Sequence, residues 1–314
     1  MASRHSRERT LRLSTAEFDA LYRRLESGAS WAAGARGALA ALTPDRVSAA
    51  AAEIRTGRTV TLAAPVETST GPDSPEPARH TMRAWSGAPD DQGLHFARDS
   101  FAMNVHGDTD SHLDALCHVI YRGTLHGGVA ASSVTSDGAT ALTVGALADG
   151  IVGRGVLLDV PRLHGVPWLE PGEHVRAEDL EAAETSQGTR VGEGDLLFVR
   201  VGHRKRRVEE GPWHTATARA GLHPDALEFL AQRRVAVLGG DGNNDTAPSA
   251  VDGVGFPVHV LAMHAMGVHL LDYLQFENLA PVCAAEGRWS FFCIVGPLRL
   301  PAATGSPVNP IAVL

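Results

Sequence analysis

The chain has 314 residues, 44% of them apolar and 20% charged, a composition that excludes collagen-like, coiled-coil and wholly disordered architectures. Its 28 Lys and Arg against 36 Asp and Glu leave a net charge of −8, which opposes binding to nucleic-acid phosphates or anionic lipid. The three cysteines, Cys117, Cys283 and Cys293, form no CxxC pair. They therefore argue against a disulfide framework or zinc knuckle and predict a cytoplasmic protein.

The basic opening MASRHSRERTLRLS runs into no apolar signal-peptide core, and no stretch approaches the roughly 18 apolar residues of a membrane span. STAEFDALYRRL and TPDRVSAAAAEIRTG then join Ser or Thr-Pro starts to good helix formers, predicting a helical N-terminal arm over 1–57 ahead of one domain over 58–314. RTVTLAAPVET (58–68) reads as β, and TGPDSPEPARH (70–80) as a Pro-rich loop of the kind that covers a site or reaches a neighbouring subunit. β-rich runs follow at 94–107, 153–162, 194–203, 234–242 and 289–300, with helical spacing at 176–188 and 223–233. The alternation predicts a mixed α/β fold. The arm and the Pro-rich loop predict homodimer or homotetramer contacts, or else surface helices packed on the chain's own core.

Histidine stands out at 15 residues, because it is the commonest metal ligand and the usual proton carrier near neutral pH. The densest cluster is HGDTDSHLDALCH, from His106 to His118. His112 and Asp114 are two apart and share a face of an extended segment, and Asp114 and His118 share a face if the chain then turns helical. Imidazole with carboxylate suits Zn²⁺ or Mn²⁺, which makes a nucleophile of bound water. A polar loop with capping acids is the equal alternative on spacing alone. Downstream, FPVHVLAMHAMGVHLLDYLQFENLA places His259 at the start of an apolar helical run and Asp272 past Gly267, which ends it. Buried His and Asp require partners or a metal. GGDGNNDTAPSAVDG (239–253) is a turn-rich loop after a β run, a common lining of active sites. Asp252, Trp85 and Trp213 are candidates for a pocket wall. Nothing matches a nucleotide-binding motif.

SHLDALCH, preceded by HG and followed by VIYRG, resembles the H-x-G-T-H-x-D-x-x-x-H signature of the cyclase family that includes bacterial kynurenine formamidase and isatin hydrolase. TPDRVSAAAAEIRTGRTVTLAAPVE, GRGVLLDV, LEPGEHVRAEDLEAA and VGEGDLLFVRVG are similar to segments of its longer members. The resemblance implies a swivelling β/β/α fold, a divalent metal such as Zn²⁺ or Mn²⁺, and hydrolysis of an amide, cyclic or N-formyl, next to an aromatic ring. It makes His112 and Asp114 metal ligands, His118 the general acid/base, and His259 with Asp272 the distal ligands. One position departs: the family histidine four residues before His112 is here Asp108. Asp108 supplies an oxygen ligand instead, or His106 swings in, or one metal position is lost. The small-molecule chemistry expected is metal-assisted attack of water with His118 moving the proton, falling off below about pH 6 as imidazoles protonate. A cyclase acting on a polyketide-like intermediate and an inactive binding protein of the same fold are the alternatives.

Overall fold

The computed structural model describes residues 12–83 and 96–314. Trp85, the first residues of the 94–107 run and residues 1–11 of the arm lie outside the described residues. The expected mixed α/β fold of the swivelling β/β/α class is present, built on a curled nine-stranded sheet.

The sheet strands in chain order are β1 (Thr59–Thr61), β2 (His112–Asp114), β3 (Ile151–Asp159), β4 (Leu196–Arg200), β5 (Val237–Gly240), β6 (His269–Asp272), β7 (Ser290–Val295), β8 (Gly305–Pro307) and β9 (Ile311–Val313). Their spatial order is β1-β9-β7-β3-β4-β5-β6-β2-β8. β3, β4, β5 and β6 run parallel to one another, and the flanking strands pair antiparallel. Apolar side chains cover both faces of the centre. Val156, Leu158, Leu197 and Val199 pack into one core, while Leu157, Leu196, Phe198 and Val237 pack into the other. This explains why GVLLDV and DLLFVRV read as continuous apolar runs rather than alternating ones.

The helices are α1 (Thr15–Gly28), α2 (Pro44–Ala50), α3 (Val160–His164), α4 (Ala177–Gln187), α5 (His203–Glu210), α6 (Ala226–Arg233), α7 (Pro257–His259) and α8 (Ala280–Glu286). Ser14 and Glu17 form a capping box at α1, and Thr43 caps α2 with Pro44 in its first turn, as the Ser and Thr-Pro starts predict. Phe18, Leu21 and Leu25 of α1 are buried in the main core. α7 passes into a π-helical turn over Val260–Ala265, and Gly267 at φ +65° ends it as expected. The second half of the predicted 94–107 strand is not in the sheet. Its described part pairs Arg98–Ala102 with Arg79–Arg83 in a solvent-exposed ribbon. α5 goes unpredicted because HRKRRVEE carries charge on every side and shows no apolar stripe. Among the described residues, no helix is long and apolar enough to cross a membrane.

Candidate metal centre

The segment HLD is a strand because it pairs on both sides, with β6 and with β8. Alternation then sends His112 and Asp114 to one face. The register sets His112 opposite Asp272 across the β2–β6 ladder. His259 enters from the last residue of α7, where it passes into the π-helical turn, in the crevice beyond the carboxyl ends of the parallel strands, where ligands of open α/β sheets gather. The structure thus brings His112, Asp114, His259 and Asp272 from both sequence clusters to one cavity of about 480 Å³, with His106, Asp108 and His118 on its lining.

Two overlapping triads share Asp114. His106, His112 and Asp114 form one, and Asp114, His259 and Asp272 the other, each with ligand-type atoms within 4.8 Å of one another. His259 Nε2 is 3.5 Å from Asp114 Oδ2 and 3.5 Å from Asp272 Oδ2, and His112 Nε2 is 3.6 Å from Asp114 Oδ1. Neighbours fix which nitrogen faces inward. His112 Nδ1 donates to the Asp110 carbonyl at 2.7 Å, and His259 Nδ1 donates to Asp245 Oδ2 at 2.6 Å, so each ring turns Nε2 toward the carboxylates. Asp272 is held by Asn243 Nδ2 at 3.0 Å and Asn244 Nδ2 at 2.5 Å.

The donor set fits a divalent cation. Asp114 is fully buried, and its Oδ2 accepts no hydrogen bond from the described residues, a costly state for a carboxylate oxygen unless a cation faces it. Burial would raise the Asp114 pKa, but the His106 hydrogen bond and the neighbouring imidazoles hold it well below the usual range. Burial pushes Asp272 up. For His259, burial favours the neutral ring, but Asp114, Asp245 and Asp272 outweigh it and raise the pKa well above the ordinary value.

Two expected residues are placed differently from the sequence pattern. Asp108 belongs to neither triad; it stands on the cavity wall, where its Oδ1 accepts from the Tyr273 hydroxyl at 3.1 Å. His106 occupies the inner position, with Nδ1 2.8 Å from Asp114 Oδ1 and Nε2 2.9 Å from Thr304 Oγ1. Gly305 makes room for it: a Cβ there would sit 2.7 Å from the His106 ring and 2.5 Å from the Leu113 carbonyl. No helix follows Asp114. Instead a turn, with the His118 N–H on the Ala115 carbonyl at 2.8 Å, returns His118 so that its ring stacks on His106 at 3.7 Å and 6°. Burial lowers the His118 pKa to about 4.

The expected polar loop after β5 does line the centre through Asn243. Asp245, which sequence reasoning did not single out, holds His259 and also accepts from the Val258 and His259 backbone N–H groups. The only advance signal was the density of Asn and Asp in GGDGNND. Asp252 is exposed and paired with Arg12, and Trp213 packs on His203 away from the cavity. His264 is satisfied by Tyr22 and Thr124, the ordinary fate of a core histidine. Cys117 is an inert buried thiol, pushed up to about 11 by burial.

The family model described as Putative cyclase matches residues 60–244, more than half of the chain. The chain belongs to this cyclase family. It is similar to a crystal structure described as a novel cyclase, at 32% identity over 91% of this chain and 98% of that one, with a TM-score of 0.81. It also shares its fold with isatin hydrolase A from Ralstonia solanacearum, at 22% identity, coverage of 86% and 97%, and a TM-score of 0.59. Isatin hydrolase A from Labrenzia aggregata, bound to benzyl benzoate, shows 20% identity, coverage of 81% and 93%, and a TM-score of 0.58. A search of curated proteins found no match.

Proposed function

We propose that this family member is a divalent-metal-dependent hydrolase of an amide, cyclic or N-formyl, attached to an aromatic ring. The observation that carries the reading is Asp114: a buried carboxylate shared by two His/Asp triads, with one oxygen left without a hydrogen bond at the floor of an open cavity. The isatin hydrolases among the similar folds support the amide chemistry. His112, Asp114, His259 and Asp272 would hold the ion, with His106 hydrogen-bonded to Asp114 beside them. When bound, a Zn²⁺ or Mn²⁺ ion supplies Lewis acidity toward a carbonyl oxygen and acidifies water.

The chain's own residues do the rest. His118, kept neutral by burial, can accept a proton from water through a ring nitrogen and return it to the departing nitrogen as the C–N bond breaks and a C–O bond forms. The flat stack on His106 limits its ring to one plane. Asp245 and the Asp110 carbonyl hold the His259 and His112 rings in the orientation that faces the carboxylates. Val119, Tyr121, Val254 and Phe256 wall the cavity and present apolar surface to an aromatic ring.

Elemental analysis of purified protein, with turnover on isatin and an N-formyl arylamine in ¹⁸O-labelled water, tests the reading. Near-stoichiometric zinc or manganese and one solvent oxygen in the acid product are expected. Ring closure without solvent oxygen would move the protein to the cyclase alternative, and absence of both ion and turnover would move it to a binding role.

A further inference from the structure

Asp108 is left over once the triads are assembled, yet it lines the cavity. Its Oδ1 is anchored by the Tyr273 hydroxyl at 3.1 Å, and Tyr273 is itself fully buried, so the carboxylate is fixed rather than mobile. Among the described residues, no hydrogen bond reaches Oδ2. The lips of the cavity are apolar, with Ile120 and Phe256 each 50% exposed.

Among the described residues, no Lys or Arg lines this cavity. Two arginines touch its aromatic walls from elsewhere, and both are committed. Arg122 lies over Tyr121 and is paired with Asp19 at 2.6 Å, and Arg219 lies over Phe256 while donating to the Asp245 and Thr215 carbonyls. A substrate carrying its own carboxylate on the side of the cavity that Asp108 lines would therefore meet that carboxylate with no lysine or arginine to offset it. Like charges brought together in a partly desolvated site discriminate strongly.

We propose that Asp108 is a specificity-determining residue that excludes anionic substrates and accepts an N–H from an uncharged one, so that the enzyme takes neutral aryl amides. This rests on the hydrolase reading above and names its substrate class. Hydrolysis rates are compared on two matched pairs: formanilide with N-formylanthranilate, and isatin with isatin-5-carboxylate. Wild type is expected to favour the neutral member of each pair by about tenfold or more in kcat/KM. Asp108→Asn is expected to shrink that ratio severalfold, chiefly through a lower KM for the anion.

A preference for the anion in wild type, or a ratio that Asp108→Asn leaves unchanged, overturns the proposal. If none of the four is hydrolysed, the hydrolase reading fails separately, and calorimetric binding of benzamide and benzoate to the purified protein decides the charge selectivity. The Kd for benzoate relative to benzamide should drop severalfold in Asp108→Asn, and an unchanged ratio again refutes the assignment.

Discussion

Replacing Asp245 by asparagine keeps the side-chain volume and tests how the centre is held. Asp245 accepts three hydrogen bonds, from Val258 N at 2.7 Å, His259 N at 3.0 Å and His259 Nδ1 at 2.6 Å. A carboxylate satisfies all three because it only accepts; a carboxamide cannot. Whichever way the introduced carboxamide is turned, its NH₂ opposes a backbone N–H, that of Val258 or that of His259, and in the second orientation it also opposes the His259 Nδ1–H, which favours a proton on the Nε2 that faces Asp114 and Asp272. Loss of such an orienting carboxylate typically costs 10- to 100-fold in metal affinity, about 1.4–2.7 kcal/mol. That range agrees with the roughly 1.5–3 kcal/mol of one charge-assisted hydrogen bond. Calorimetric titration of metal-depleted protein with Zn²⁺ or Mn²⁺ reads the affinity, and circular dichroism checks the fold. A folded Asp245→Asn variant that binds within about twofold of wild type would show that His259 needs no such anchor.

Alanine at His112 or Asp114 should abolish both bound metal and turnover, and stoichiometric metal in either variant would remove that residue from the ligand set. Against its burial, the surrounding carboxylates raise His259 well above its ordinary pKa, so metal binding at its ring should be accompanied by proton release. Titrations in buffers of different ionisation enthalpy would detect this release, and heats independent of buffer would contradict it. Burial lowers His174 to about 4 and His269 to about 3 from an ordinary 6.5, so the unfolded chain takes up more protons between those limits. Stability is then complete above about pH 6.5 and declines as pH falls toward 4 and 3; urea midpoints that do not fall between pH 7 and pH 4 would refute this. A Cβ on Gly155 would lie 2.3 Å from the Phe291 ring, so Gly155→Ala should cost about 1–3 kcal/mol by overpacking, read as a lower melting temperature.

Much of the centre was legible from local pattern. The two-residue spacing of His112 and Asp114 needed only an extended chain to share a face, and the Asn- and Asp-rich stretch after VAVLGG read as a turn-rich loop at a strand's C-terminal end, although its burial, with Asp241, Asn244 and Asp245 almost wholly enclosed, was not legible. The places where reading from sequence ran out are those where a neighbour decides. The sequence offered both Asp108 and His106 beside Asp114. His106 stands there because Gly305 on β8 leaves space for its ring and Thr304 meets its Nε2. His118 arrives by a turn where spacing allowed a helix, and α5 formed from a charged octet with no apolar stripe to announce it.

By itself, the sequence determined what depends on a few consecutive residues: the capped starts of α1 and α2, the buried central strands, the stop at Gly267 and the ligand chemistry carried by each cluster. Only the tertiary structure decided which groups meet. His112 faces Asp272 because β6 pairs antiparallel with β2 while remaining parallel to β5. That register follows from burying apolar side chains on both faces of one sheet, a constraint distributed over the whole chain and visible in no single segment.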